Sequence, residues 1–111
     1  MEIGHKFIGD ILVINIYGEL YSEQVMQMEY KLLEFSTKTN QVIVNCEELE
    51  YIDSKGLGVL ISFQKLLEKR GGEMAVCSAN GKVEKVFELT QFDKFTKLYA
   101  TLEDALKGFG V

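Results

Sequence analysis

The chain predicts an α/β domain with a mixed, mostly parallel sheet of about four to five strands, an N-terminal hairpin and about four helices. Three observations predict it. Short runs rich in β-branched residues, such as Gln41-Val42-Ile43-Val44-Asn45-Cys46, alternate with segments whose apolar residues recur at helical spacing. Such alternation requires crossovers, and crossovers make neighbouring strands parallel. At the start, Lys6 to Tyr17 reads instead as two strands joined by a two-residue turn, Gly9-Asp10. At 111 residues the chain forms one domain, 1–111, large enough for a single core.

After the hairpin, Ser22 is placed to cap a first helix whose core stripe is Val25, Met28, Leu32 and Phe35, with Asn40 suited to its C-terminal end. Met26, Met28, Phe35 and the tyrosines invite a ligand-pocket reading, but such a stripe reads as core. The central strand follows, then a second helix with Leu57, Leu60, Ile61 and Leu67 on its inner face and Val59, Phe63 and Leu66 widening the arc. Gly71-Gly72 stops that helix, and Glu73 to Cys77 form the next strand. Asn80 suits the cap of a third helix with inner residues Val83, Val86 and Phe87. Lys97-Leu98-Tyr99 form a last edge strand. Thr101, with Asp104 three residues on, opens a fourth helix carrying Leu102, Ala105, Leu106 and Phe109.

Composition narrows the function. A net charge of −5, with lysines scattered among acids, argues against binding to a nucleic-acid backbone. There is no apolar run long enough to span a bilayer and no secretion signal, so a cytoplasmic location without direct membrane contact is expected. Cys46 and Cys77 sit in apolar strand-like runs and read as small buried hydrophobes; a disulfide would require neighbouring strands and an oxidising compartment.

Enzyme signatures are lacking. His5 is the only histidine, reads as a solvated residue near the terminus, and cannot belong to a multi-His metal site. Gly56-x-Gly58 lacks the third glycine of a dinucleotide loop. Ser62-Phe63-Gln64-Lys65 matches Ser-x-x-Lys, but in mid-helix and without companion motifs. Glu47, Glu48, Glu50 and Asp53 could bind a metal or move protons, with Glu50 and Asp53 as an acid–base pair; their spacing also fits a solvated loop face. No cofactor and no metal is expected, and the chain reads as a non-enzyme.

The most informative segment is Asp53-Ser54-Lys55-Gly56-Leu57-Gly58, between the strand-like run and the second helix. Ser54 falls where the helix begins, so it is expected to cap it. A phosphate there would also be tolerated by the free N–H groups and the helix dipole. Gly56 and Gly58 would leave the first turn bare for the approach of a partner.

Asp-Ser-x-Gly-Leu-Gly after Tyr51-Ile52, followed by an apolar helix and the Gly-Gly-x-Met start at Gly71, resembles the anti-sigma factor antagonist branch of the STAS domain family. The resemblance extends over nearly the whole chain. It takes in Gly18-Glu19-Leu20, Val42 to Asn45, Gly71 to Cys77 and Lys82 to Leu89, and departs at Tyr21, where the family often has Asp. It implies that Ser54 is a phosphoacceptor and that Asp53, Lys55, Gly56, Leu57 and Gly58 contact the partner. That partner would be an anti-sigma factor serine kinase, which brings the ATP; a metal-dependent serine phosphatase would remove the phosphate. Unphosphorylated, the domain would bind the kinase and release the sigma factor for transcription. The same family also implies two other roles, a subunit of a larger signalling assembly and a cytoplasmic partner of a membrane transporter.

Overall fold

A computed structural model describes residues 1–111. Strands β1 (Glu2–Ile8) and β2 (Ile11–Leu20) form the antiparallel hairpin. Gly9 takes φ +61° while Asp10 stays at negative φ, the geometry of a type II′ turn that suits the twist of paired strands. A 3-10 turn, Ser22–Gln24, leads into helix α1 (Val25–Ser36). Then come β3 (Gln41–Asn45), β4 (Leu49–Ile52), α2 (Ser54–Lys69), β5 (Glu73–Cys77), α3 (Gly81–Thr90), β6 (Lys97–Tyr99) and α4 (Leu102–Gly108).

The sheet order is β1-β2-β3-β5-β6, parallel from β2 onward, and the mixed topology is as expected. The sixth strand is the difference. β4 pairs in parallel with the end of β2, Gly18 with Leu49 and Leu20 with Ile52, past an irregularity between Gly18 and Glu19. Gly18 accommodates that kink at φ +91°, a backbone conformation glycine adopts without steric cost. The acidic segment before Ser54 is therefore partly a strand, with Leu49 and Ile52 buried and Glu50 and Tyr51 outward.

The core has two unequal layers. Leu12, Ile14, Ile16, Val42, Val44, Met74 and Val76 face α1, α2 and α3 in a cluster of 22 buried residues. On the other face Ile11, Val13, Ile43 and Cys77 meet Ala105 of α4. Burial on both faces explains why β3 reads as an unbroken apolar run. Leu60 and Leu67 of α2 are wholly buried, and each such side chain contributes about 1.5–3 kcal/mol of transfer free energy. Cys46 belongs to the large cluster and Cys77 to the small one, on opposite faces of the sheet, so both remain free thiols. Desolvation, then the neighbouring Cys77, pushes the Cys46 thiol far up; desolvation also raises that of Cys77.

Several local expectations are corrected. Ser22 does not cap α1; it opens the 3-10 turn, which Gln24 Oε1 closes by accepting from Tyr21 N–H at 3.2 Å. Asn40 lies beyond the end of α1, where its side chain donates to the Arg70 carbonyl at 2.9 Å, tying the strand entry to the end of α2. Asn80 is the N-cap residue of α3, as expected, but its side chain makes no capping bond; its amide donates instead to the carbonyls of Glu47 and Ser78. His5 is exposed, yet it lies within β1 with its ring 4.9 Å from that of Phe35. Thr101 does cap α4, accepting from Asp104 N–H at 3.0 Å.

Candidate functional site

The site is the junction between β4 and α2. Asp53 has an extended backbone, and its Oδ1 accepts from Gly56 N–H at 2.9 Å, so Asp53, not Ser54, is the N-cap. Its Oδ2 accepts from the backbone N–H of Ser22 at 3.2 Å and from Ser22 Oγ at 3.3 Å. One carboxylate thus starts α2 and fastens it to the turn before α1. Burial alone would raise the Asp53 pKa; the donors from Gly56, Ser22 and Lys55 together outweigh it and hold the carboxyl below its ordinary value.

With the cap supplied by its neighbour, Ser54 becomes the first helical residue. It is exposed, and its hydroxyl makes no hydrogen bond within the chain. Its own N–H is one of the donors that a helix start leaves unsatisfied, at the positive end of a 16-residue helix dipole. Glu47, Glu48 and Glu50 lie exposed on the approach to it. No three carboxylate, histidine or cysteine groups converge as metal ligands. Asp53, with its charge stabilised by several donors, is a weak proton acceptor near neutral pH, which argues against an acid–base pair with Glu50.

The structure divides the five residues that accompany Ser54. Asp53, Lys55 and Gly58 reach the surface. Gly56 and Leu57 turn inward. A Cβ on Gly56 would meet the Leu20 carbonyl at 2.6 Å and Ile52 Cγ1 at 2.8 Å, so this glycine lets α2 press against β2 and β4. The expectation that it keeps the first turn bare for a partner is corrected: it keeps it bare for the sheet. Leu57 is 5 % exposed and belongs to the core. At Gly58 a Cβ would meet nothing within 4 Å.

Gly58 opens onto a groove of about 420 Å³ between α1 and α2, lined among others by Val25, Leu33, Lys55, Ser62 and Leu66. Met28, Leu32 and Phe35 are core as expected, whereas Met26 and Tyr30 of α1 are about 70 % exposed. Tyr21, the departure noted in the sequence, packs edge-on against Tyr51 with ring centroids 6.2 Å apart. Ser22 joins the site although the sequence does not mark it. It lies 31 positions from Asp53, and no local pattern announces that contact.

The arrangement matches known proteins. The family model of the STAS domain fits residues 3–105. The chain belongs to the STAS domain family. A candidate anti-sigma factor antagonist of Thermotoga maritima is 31% identical over 105 residues, 93% of each chain. The anti-sigma F factor antagonist of Paenibacillus polymyxa is 28% identical over 98 residues, 86% of this chain and 84% of its own. Among solved structures, the crystal structure of a candidate anti-sigma factor antagonist from Thermotoga maritima superposes with a TM-score of 0.89 at 28% identity, covering 96% of this chain and 92% of that one. These relatives place this STAS domain in the anti-sigma factor antagonist branch. No helix of the domain is long and apolar enough to cross a membrane.

The capping geometry makes a stability prediction. Asp53→Ala is expected to cost about 1 kcal/mol at pH 7, the usual worth of an N-cap. Because the Asp53 pKa is lowered by folding, its contribution is present above the unfolded carboxylate pKa and fades as pH falls through the folded one. Urea titrations should therefore show the gap between wild type and variant closing below about pH 4. A gap that stays constant or widens in acid would contradict the capping role.

Proposed function

We propose that this STAS domain is a phosphorylation-switched anti-sigma factor antagonist. Unphosphorylated at Ser54, it binds an anti-sigma factor that is also a serine kinase, and the sigma factor is released for transcription. Phosphorylated, it lets that partner go, and a metal-dependent serine phosphatase resets it. The names of the relatives support the antagonist role. One observation carries the switch: Asp53 does the capping, which leaves the Ser54 hydroxyl exposed and without an internal partner.

The chemistry asked of the domain is small. Ser54 Oγ attacks the γ-phosphorus of ATP held by the partner, ADP leaves, and the hydroxyl proton passes to a base of the partner. The product adds about −1.5 to −2 charge at Ser54, beside an already acidic approach. The helix start tolerates that charge locally, so the fold has little reason to rearrange. The contact surface changes sharply instead, because a dianion stands where Lys55 and Gly58 meet the partner.

The test is phosphopeptide mapping after reaction with the cognate kinase and ATP. Ser54 is expected to carry the label, and Ser54→Ala should lose it while melting like the wild type. Stoichiometric labelling of Ser54→Ala would refute the assignment.

A further inference from the structure

Strand β1 is the outer strand of the sheet, and its far side pairs with nothing. It runs for seven residues in unbroken register with β2, without a bulge and without proline. The opposite edge, β6, has only three residues, and there Lys97 is held by Glu73 at 2.8 Å. Ile8 and Ile11 pair across a two-residue turn, and in such a hairpin the flanking pair carries both ladder bonds. The even-numbered residues of β1 therefore direct their N–H and C=O groups to β2, while Ile3, His5 and Phe7 present theirs outward. An unpaired edge of this length is a template for another strand.

We infer that the strand it accepts is β1 of a second copy, paired antiparallel about a two-fold axis through Gly4. Charge selects this register. Centring on Gly4 sets Glu2 opposite Lys6 of the second copy, and by symmetry the pair occurs twice. Both residues are exposed, and neither belongs to an ion pair within its own chain. They fall at positions without ladder bonds, where opposite side chains approach most closely, and cross-strand charge pairs there are favourable. Gly4 on the axis presents no side chain to its symmetry mate. Shifting the centre to His5 sets Glu2 against Ile8 and loses both pairs. The contact is one strand wide, so the dimer is transient and concentration-dependent. It uses no residue of the Ser54 site and stands or falls independently of it.

The test is sedimentation equilibrium of wild type, Glu2→Lys and Lys6→Glu across a concentration series, each variant checked by thermal melting. The wild type should rise reversibly from 12.6 kDa toward twice that mass. Hydrogen exchange at the Ile3 and His5 amides should slow as concentration rises. Each single variant, carrying like charges across the axis, should associate at least fivefold more weakly. Mixing the two should restore association, because the two basic positions of Glu2→Lys then face the two acidic positions of Lys6→Glu. A wild type that stays at the monomer mass up to about 1 mM overturns the proposal. So does self-association undiminished in either single variant, or a mixture no better than its components.

Discussion

Gly56→Ala is expected to lower the stability of this STAS domain by about 2 kcal/mol, near the middle of the range for overpacking. The added methyl would sit 2.6 Å from the Leu20 carbonyl, 2.8 Å from Ile52 Cγ1 and 3.0 Å from Leu20 Cγ. The first of these is backbone and cannot rotate aside, so α2 must move away from β2 and β4. A gain of up to about 1 kcal/mol from replacing a helical glycine offsets only part of that cost. For a chain this size, about 2 kcal/mol moves Tm down by roughly 8–16 °C. Gly58→Ala is the internal control. It keeps the propensity gain, meets no atom within 4 Å, and should melt slightly higher than the wild type. An unchanged or raised Tm for Gly56→Ala would show that the helix start is looser than its contacts imply.

The same two glycines show what was legible in the sequence. Both stand in the hexapeptide and look alike on paper, because a glycine carries no sign of the direction in which its missing side chain would point. Position along the helix separates them: Gly56 shares a face with Leu60 and Phe63, and Gly58 lies to the other side. The elements themselves were readable, since β3 and β5 are short apolar runs of strand length and α2 carries a helical stripe. β4 was not. Its burial runs inward, outward, outward, inward over Leu49 to Ile52, because it pairs only with the kinked end of β2, and that pattern matches no strand template. The sequence points to Ser54 as the cap, one residue late, for a related reason. Asp and Ser are both good N-caps, and the choice of Asp53 depends on Ser22, which supplies two donors to its second oxygen.

That choice bears on the proposed regulation. A serine that caps its own helix spends its hydroxyl oxygen on a backbone N–H, and phosphorylation would then cost the helix a hydrogen bond. Here the cap is the carboxylate of Asp53, so the proposed phosphate on Ser54 would cost the helix no capping bond. On the proposed switch, stability and switching would fall to adjacent residues, Asp53 and Ser54.

Gly58→Gln is expected to leave the fold intact while weakening binding of the proposed anti-sigma factor kinase by at least tenfold, about 1.4 kcal/mol. Gly58 lies one turn from Ser54 on the exposed side of α2, at the mouth of the groove bounded by Lys55 and Ser62. A kinase that brings ATP to the Ser54 hydroxyl must pass over this turn, and a glutamine side chain would stand in its path. Nothing in the domain itself opposes the substitution: a Cβ there has open space, and glutamine is a better helix former than glycine by nearly 1 kcal/mol. Affinity and stability should therefore move in opposite directions, which separates a contact residue from a packing residue. A melting curve and a binding titration on this one variant decide the matter. A lower Tm would mean that the helix needs glycine here for its own packing, and an unchanged Kd would remove Gly58 from the contact surface.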